Sequence, residues 1–196
     1  MTLGVMTKVF ARPSIEEVAA AIQAAELFAV QLNLEMAGLE ELPAQLDTPT
    51  CERIRKAFAS RGIEISAVSG TFNAIDTDLA RRKECIRRVG VLAAHCEALG
   101  TKVITLCTGT RATDWMWSPH PDNSQPEAWA EMVQTMRELV KHAEAHGVTL
   151  AFEPEVVNVV DTTEKAQRLI EAIGSPNLRI VKIGRASCRE RVYVLV

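Results

Sequence analysis

Apolar residues recur at helical spacing in five segments of the chain. The first segment carries them at positions i, i+3, i+4 and i+7, namely Ile15, Val18, Ala19 and Ile22. This spacing places them on one face of a helix, and Ser14 with Glu17 has the spacing of a capping box at the helix start. Four further helices are predicted in the same way. They begin near Thr48, Thr77, Ser124 and Asp161, and glycines mark their ends at positions 62, 100, 147 and 174.

Short apolar runs of strand length separate the predicted helices. They are rich in Val, Ile, Leu, Phe and Thr, and they span residues 3–10, 29–34, 64–68, 102–107, 149–152 and 178–181. Their apolar residues are continuous rather than alternating, which is typical of parallel strands buried on both faces. Strands that alternate with helices in this way predict one α/β domain with a parallel sheet and right-handed crossovers.

Two architectures are compatible with this alternation of strands and helices, an open doubly wound sheet and a (β/α)8 TIM barrel. The first predicted strand is followed by Phe10-Ala11-Arg12-Pro13 and not by a glycine-rich phosphate loop, which weakens the dinucleotide-binding form of the open sheet. A full barrel needs about 250 residues. The six predicted strands therefore fit a barrel that is truncated after about six strands, with parallel strands inside and helices outside.

The last fifteen residues differ in composition from the rest of the chain. Residues 182–196 carry a net charge of +3, whereas residues 1–181 carry −6. The run from Lys182 to Val192 resembles one reading frame of a short-read sequencing adapter; a basic C-terminal helix or strand is the alternative. We therefore assign residues 1–181 to a partial barrel and residues 182–196 to a non-native tail, and we expect the natural sequence to continue differently after Val181.

Composition and charge narrow the class of protein. Hydrophobic residues make up 47% of the chain, as in a globular protein with a packed core. No apolar run reaches the roughly 20 residues of a membrane span, and the N-terminus does not resemble a signal peptide. The net charge of −3 argues against nucleic acid as a partner. The five scattered cysteines suit free thiols, so a cytoplasmic location is expected.

Candidate catalytic residues follow the predicted strands, because both architectures bind ligands at the strand carboxyl ends. Glu153 directly follows the apolar run 149–152, where a carboxylate could bind a metal ion or move a proton. Glu155 lies two residues further and shares its face in an extended chain. Asn33 ends the second predicted strand. For the two glutamates, the alternative is a pair of solvated loop carboxylates.

A loop rich in aromatic and polar residues follows the fourth predicted strand. It runs from Trp115 to Asn123 and contains Trp117 and His120. Aromatic faces beside hydrogen-bonding groups suit a sugar, so Trp117 and His120 are candidate substrate-binding residues, together with Glu155 and Asn33. The alternative is that the tryptophans pack the loop onto the rim of the sheet.

Four segments together carry a resemblance to a known family. They are LGTKVI to GTR at residues 99–111, the loop 117–123, GVTLAFEPE at residues 147–155 and SPNLRIV at residues 175–181. In order and spacing they resemble the sugar phosphate isomerase/epimerase group of xylose isomerase-like TIM barrels. The resemblance covers essentially all of residues 1–181.

The resemblance implies a metal-dependent isomerase or epimerase of a sugar or sugar phosphate, which transfers a proton alpha to a carbonyl. The implied divalent metal is Mn, Mg, Co or Zn. Its ligands would be a Glu after strand five, an Asp after strand six, a His from strand seven and a Glu after strand eight. Only Glu153 matches one of these positions, as metal ligand and catalytic residue, so the 196-residue chain itself is expected to be inactive.

Two other functions stay open on the same sequence. One is a non-catalytic protein that binds a small molecule such as a sugar, and the other is a metal-dependent dehydratase, because one barrel serves several chemistries. The expected partner is a small-molecule sugar or polyol, with neither nucleic acid nor a membrane. Unpaired strand edges of a partial barrel would also permit a homo-oligomer.

Overall fold

Strands and helices alternate along the part of the chain that the structure describes. The computed structural model describes residues 2–181 and the backbone of Lys182, Val194 and Leu195. The strands are β1 (Gly4–Met6), β2 (Ala29–Leu32), β3 (Glu64–Ser69), β4 (Val103–Cys107), β5 (Thr149–Glu153), β6 (Leu178–Lys182) and β7 (Val194–Leu195). The helices are α1 (Ile15–Ala24), α2 (Thr48–Ala59), α3 (Leu79–Leu99), α4 (Pro126–His146) and α5 (Thr163–Ile173).

The strands form one sheet in the order β1-β2-β3-β4-β5-β6-β7. Strands β1 to β6 pair in parallel with their neighbours in sequence, as consecutive strands of a barrel do. Strand β7 pairs antiparallel with β6, with Leu195 opposite Val181. The structure thus confirms six parallel strands with helices on the outside. The assignment of residues 182–196 to a non-native tail stays a prediction, because residues 183–193 and 196 lie outside the described residues.

Alternating residues of the central strands divide between the two faces of the sheet. One face packs against the helices, and its buried residues belong to the same apolar cluster as theirs, for example Ile104, Leu106, Leu150 and Phe152. The intervening residues lie on the opposite face, because neighbouring side chains on a strand point in opposite directions. On β4 and β5 these are Thr105, Cys107, Ala151 and Glu153. This second face is the one that a closed barrel encloses.

Several predicted element boundaries were wrong. Helix α2 ends at Ala59 with Ser60 as its C-cap, and not at Gly62. Strand β1 ends at Met6 and not at Phe10, and a 3-10 helix over Thr7–Phe10 follows it. The reason is that the Thr7 hydroxyl accepts a hydrogen bond from the backbone N–H of Asn33 at 2.8 Å, which turns the chain toward the end of β2. Helix α5 is capped by Thr162 and not by Asp161, because the Thr162 hydroxyl accepts from the backbone N–H of Lys165 at 3.2 Å.

Helix caps account for most of the other boundaries. The Ser14 hydroxyl accepts from the backbone N–H of Glu17 and starts α1, as predicted. Glycines 100, 147 and 174 end α3, α4 and α5 with backbone φ angles of 80°, 62° and 69°, a conformation that glycine adopts without steric cost. Among the described residues, no helix is both long enough and apolar enough to cross a membrane.

Candidate active site

Glu153 lies at the carboxyl end of β5, the position predicted for it. It is half-buried, and its register partner on β4 is Cys107. Both residues occupy the face of the sheet that a closed barrel encloses. Glu153 is therefore the last residue of β5, paired with β4, which fixes its position more firmly than a loop would.

The Cys107 thiol indicates which charged groups surround this strand end. Burial, together with the negative charges of Glu155, Glu153 and Glu41, raises the pKa of Cys107 to about 12. The thiol donates a hydrogen bond to the backbone carbonyl of Phe72 at 3.2 Å. A buried thiol with such a pKa is protonated and inert at neutral pH. Cys107 is thus a packing residue at a strand end on which negative charges act.

A second group of charges lies between the ends of β1 and β2. Burial raises the pKa of Glu41, the charge of Glu35 raises it further, and the charge of Lys8 lowers it. One oxygen of Glu35, Oε2, is buried and makes no hydrogen bond. Because Glu41 also acts on Cys107, this second group adjoins the first. The charges of Glu35, Glu41, Glu153 and Glu155, with that of Lys8, therefore act on this end of the sheet.

Asn73 connects the loop after β3 to the loop after β4. Its side-chain oxygen accepts from the backbone N–H of Thr110 at 3.0 Å and of Ile75 at 3.3 Å, and its amide donates to the carbonyl of Thr110 at 2.8 Å. Gly109 lies directly beneath this contact with a φ of +79°. A Cβ atom at position 109 would overlap the Asn73 side-chain oxygen and come within 2.7 Å of the backbone nitrogen of Ala74. Glycine is therefore required there by both conformation and space.

Asn158 connects the loop after β5 to the same glycine. Its side-chain oxygen accepts from the backbone N–H of Gly109 at 3.0 Å, and the carbonyl of Gly109 accepts from Val159 at 3.0 Å. The backbone N–H of Asn158 in turn donates to the carbonyl of Glu155 at 2.9 Å. The loop that carries Glu155 is thus fixed to the loop after β4, which is itself fixed to Asn73.

The other predicted substrate-binding residues occupy different surroundings. Asn33 is almost completely buried, and its side-chain oxygen accepts from the Thr7 hydroxyl at 3.5 Å. Trp117 is half-buried in the loop after β4. His120 caps a short 3-10 helix and lines a small pocket of about 230 Å³ with Asn158, Asp161 and Lys165. The structure therefore brings Glu155 to Glu153, whereas contact of Trp117, His120 and Asn33 with a substrate stays a prediction.

The metal ion that the resemblance implies needs a cluster of ligating side chains. No group of three His, Cys, Asp or Glu side chains that could hold a metal ion occurs within residues 2–181. The described residues therefore do not form a complete metal site by themselves.

A sequence model of the xylose isomerase-like TIM barrel family matches residues 15–181. This match covers most of the chain and includes all five helices and strands β2 to β5. The chain belongs to the xylose isomerase-like TIM barrel family. The resemblance seen in the sequence is thereby confirmed at the level of the family and its fold. A search among proteins of curated function gives no significant match.

Several solved structures superimpose on the chain. The apo 3-keto-D-glucoside 4-epimerase of E. coli is 16% identical, with a TM-score of 0.73, and the match covers 97% of this chain and 71% of the epimerase. A probable 3-DHS dehydratase from Bacillus anthracis is 18% identical, with a TM-score of 0.69 and coverage of 92% and 62%. A family member from Mycobacterium smegmatis in complex with magnesium is 15% identical, with a TM-score of 0.67 and coverage of 93% and 64%.

These likenesses show a shared fold. The chain spans between 62% and 71% of the length of the three matched proteins. Their activities belong to those proteins and are considered for this chain only as proposals.

Sequence reasoning missed two kinds of site residue. Glu41 lies in a long connection without helical or strand periodicity, so no pattern directed attention to it. The asparagines at positions 73, 123 and 158 hold the loops together through hydrogen bonds to distant backbone groups. An asparagine beside a strand end is a usable signal, but its partner depends on the fold.

Proposed function

We propose that the protein is an isomerase or epimerase of a sugar or related polyol, and that it transfers a proton alpha to a carbonyl. The observation that supports this proposal is Glu153, a carboxylate at the carboxyl end of β5 in a barrel of this family. Active sites of such barrels lie at this face. A carboxylate fixed there can accept a proton from the carbon next to a carbonyl and leave an enediolate.

The acidic surroundings of Glu153 support the role of proton acceptor. The charges of Glu155 and Glu41 lie close enough to act on the same thiol as Glu153. An ionised carboxylate can accept a proton from carbon, and a second carboxyl group at the same strand end can return one. Return of the proton to the neighbouring carbon, or to the other face of the same carbon, completes an isomerisation or an epimerisation.

A divalent metal remains part of the proposal as a family expectation. Mn, Mg, Co or Zn would polarise the carbonyl, and one matched structure contains magnesium. Glu153 is the one residue of this chain that the resemblance places in the ligand set. We therefore expect the 196-residue chain itself to be inactive, and we expect activity from the reading frame of the source DNA continued past Val181.

The test is exchange of a substrate proton with solvent. A panel of ketoses and keto-sugars in D2O is incubated with the protein that the continued reading frame encodes, and separately with the 196-residue chain. Deuterium uptake is followed by proton NMR. Glu153→Gln should slow uptake at least about 100-fold, because the amide cannot accept the proton. Glu97→Gln, on the exposed surface of α3, is the matched control and should leave uptake unchanged. Uptake that survives in Glu153→Gln would place the catalytic base elsewhere.

A dehydratase is the second candidate, because a probable dehydratase matches this fold nearly as well as the epimerase does. Both reactions begin with removal of a proton next to a carbonyl, so Glu153 serves either. The same NMR spectra separate them, since a dehydratase yields a new alkene signal. Sugar binding without either change would support the non-catalytic binding protein.

A further inference from the structure

A second cavity opens beside the candidate active site. It has a volume of about 570 Å³ and lies between the loops after β2, β3 and β4 and the first half of α3. Glu41 lines it, and Glu41 also acts on the Cys107 thiol at the end of β4. Phe72 also lines it, and the carbonyl of Phe72 accepts a hydrogen bond from the Cys107 thiol at 3.2 Å, so the cavity adjoins the end of β4, where Cys107 is the register partner of Glu153. Its volume falls within the roughly 300–1,000 Å³ of small-molecule sites.

The apolar part of its wall is aromatic and accessible. Trp115 lies at the tip of the loop after β4 with 61% of its surface exposed, although a large aromatic side chain usually packs away from water. Phe72 and Met116 line the same cavity. An exposed indole face next to polar groups suits a ligand that has an apolar face and polar edges.

The arginines of this cavity are already neutralised. Arg81 pairs with Asp76 at 2.5 Å, Arg82 pairs with Glu131 at 2.7 Å, and Arg88 pairs with Glu84 at 2.9 Å. The lining contains five carboxylates against these three guanidinium groups. A phosphate group would have to displace a carboxylate from an arginine and would meet the remaining negative charge. The cavity therefore disfavours a phosphorylated ligand.

The carboxylates that are not paired with arginine, Glu41 and Asp114, offer hydrogen-bond acceptors to the cavity. Asp114 already accepts from the backbone N–H of Trp115 at 2.8 Å and from the Ser118 hydroxyl at 3.3 Å. The pKa of Glu41 is raised by burial, which favours its neutral form. Sugar hydroxyl groups donate to such oxygens, and the C–H face of a pyranose ring packs against an indole.

We infer that this cavity binds a neutral sugar residue of the substrate, with Trp115 as the surface on which the ring stacks. The inference rests on the proposed function, which places the reacting ring at Glu153. The substrate would then be a glycoside or disaccharide, and not a free monosaccharide or a sugar phosphate. Trp115 is in this role a specificity-determining residue, since it would contact the part of the substrate that does not react.

The test measures binding, so it does not depend on turnover. Isothermal titration of the 196-residue chain with cellobiose, maltose, methyl β-D-glucopyranoside, glucose, glucose 6-phosphate and glucosamine gives a Kd for each. At least one of the three neutral glycosides should bind about tenfold more tightly than glucose. Trp115→Ala should abolish that preference, and Trp115→Phe should keep most of it, because the aromatic face is retained. A melt of each variant checks that it is folded.

Three outcomes would overturn the inference. They are equal binding of glucose and all three glycosides, an unchanged preference in Trp115→Ala, and tighter binding of glucose 6-phosphate or glucosamine than of any glycoside. The two proposals also fail separately. If Glu153→Gln leaves deuterium uptake unchanged and glycosides still bind, the proposed catalytic role is wrong and the proposed sugar subsite stands. If free ketoses take up deuterium in a Glu153-dependent way and no glycoside is preferred over glucose, the proposed function stands and the subsite is wrong.

Discussion

Replacement of Gly109 by alanine tests how the active-site loops are held together. Alanine at a φ of +79° costs about 1 kcal/mol relative to glycine. Its Cβ would also force Asn73 away, and the amide of Asn73 takes part in three hydrogen bonds worth about 1 kcal/mol each. The expected loss in the free energy of unfolding is therefore about 3–4 kcal/mol.

Gly147→Ala is the matched control for this substitution. Gly147 has a φ of +62°, and a Cβ atom there would meet nothing within 4 Å. Only the conformational cost of about 1 kcal/mol remains. In a chain of this size the melting temperature should fall by about 6–16 °C for Gly109→Ala and by about 2–4 °C for Gly147→Ala. Circular dichroism melts and urea titrations measure both.

A double variant identifies the source of the cost. In an Asn73→Ala background the overlap with the side-chain oxygen is absent, so Gly109→Ala should cost at least about 1 kcal/mol less than it does in the parent chain. Equal effects of Gly109→Ala and Gly147→Ala, or additive effects of the two substitutions at 73 and 109, would refute the reasoning.

Further predictions concern ion pairs and caps. Glu131 accepts from Arg111 and Arg82, which lowers its pKa from 4.5 to about 2. The stabilisation that the ionised Glu131 gives the folded chain is therefore present above pH 4.5 and lost as the pH falls toward 2. Urea titrations should show that Glu131→Gln costs about 1 kcal/mol at pH 7, a figure that already allows for the 35% exposure of the side chain, and costs nothing near pH 2. Asp78 caps α3 by accepting from the backbone N–H groups of Ala80 and Arg81 at 3.0 Å. Asp78→Ala should cost about 1 kcal/mol and Asp78→Asn much less, and equal losses would contradict a capping role.

The sequence allowed the α/β class and the position of Glu153 to be predicted because both depend on local signals. Helical periodicity, terminal glycines and apolar runs are properties of neighbouring residues. The position of Glu153 follows from the apolar run 149–152, because the residue after such a run lies at the carboxyl end of the strand. The end of β1 could not be predicted in this way, because it depends on Asn33, which lies 26 residues from Thr7.

The cavity beside the site could not be predicted for a related physical reason. Its walls come from the loops after three different strands and from one helix. Trp115 was recognised in the sequence as part of a loop that suits a sugar, but packing and ligand binding were equally compatible with that loop. The exposure of Trp115 in the structure separates it from Trp117, which is half-buried.

The loops around Glu153 illustrate how a barrel of this kind keeps an active site rigid without secondary structure. Loops are usually the most mobile part of a domain, and catalysis requires carboxylates to hold their geometry closely. Here Asn73 fixes the loop after β4, Gly109 leaves space for that contact, and Asn158 fixes the loop after β5 to the same glycine. The backbone N–H of Asn158 also donates to the carbonyl of Glu155. The position of the Glu155 carboxylate therefore depends, through Asn158 and Gly109, on Asn73, which lies 85 residues before Asn158 in the sequence. Substitutions at position 73 should therefore change the site as well as its stability, although Asn73 belongs to neither β4 nor β5.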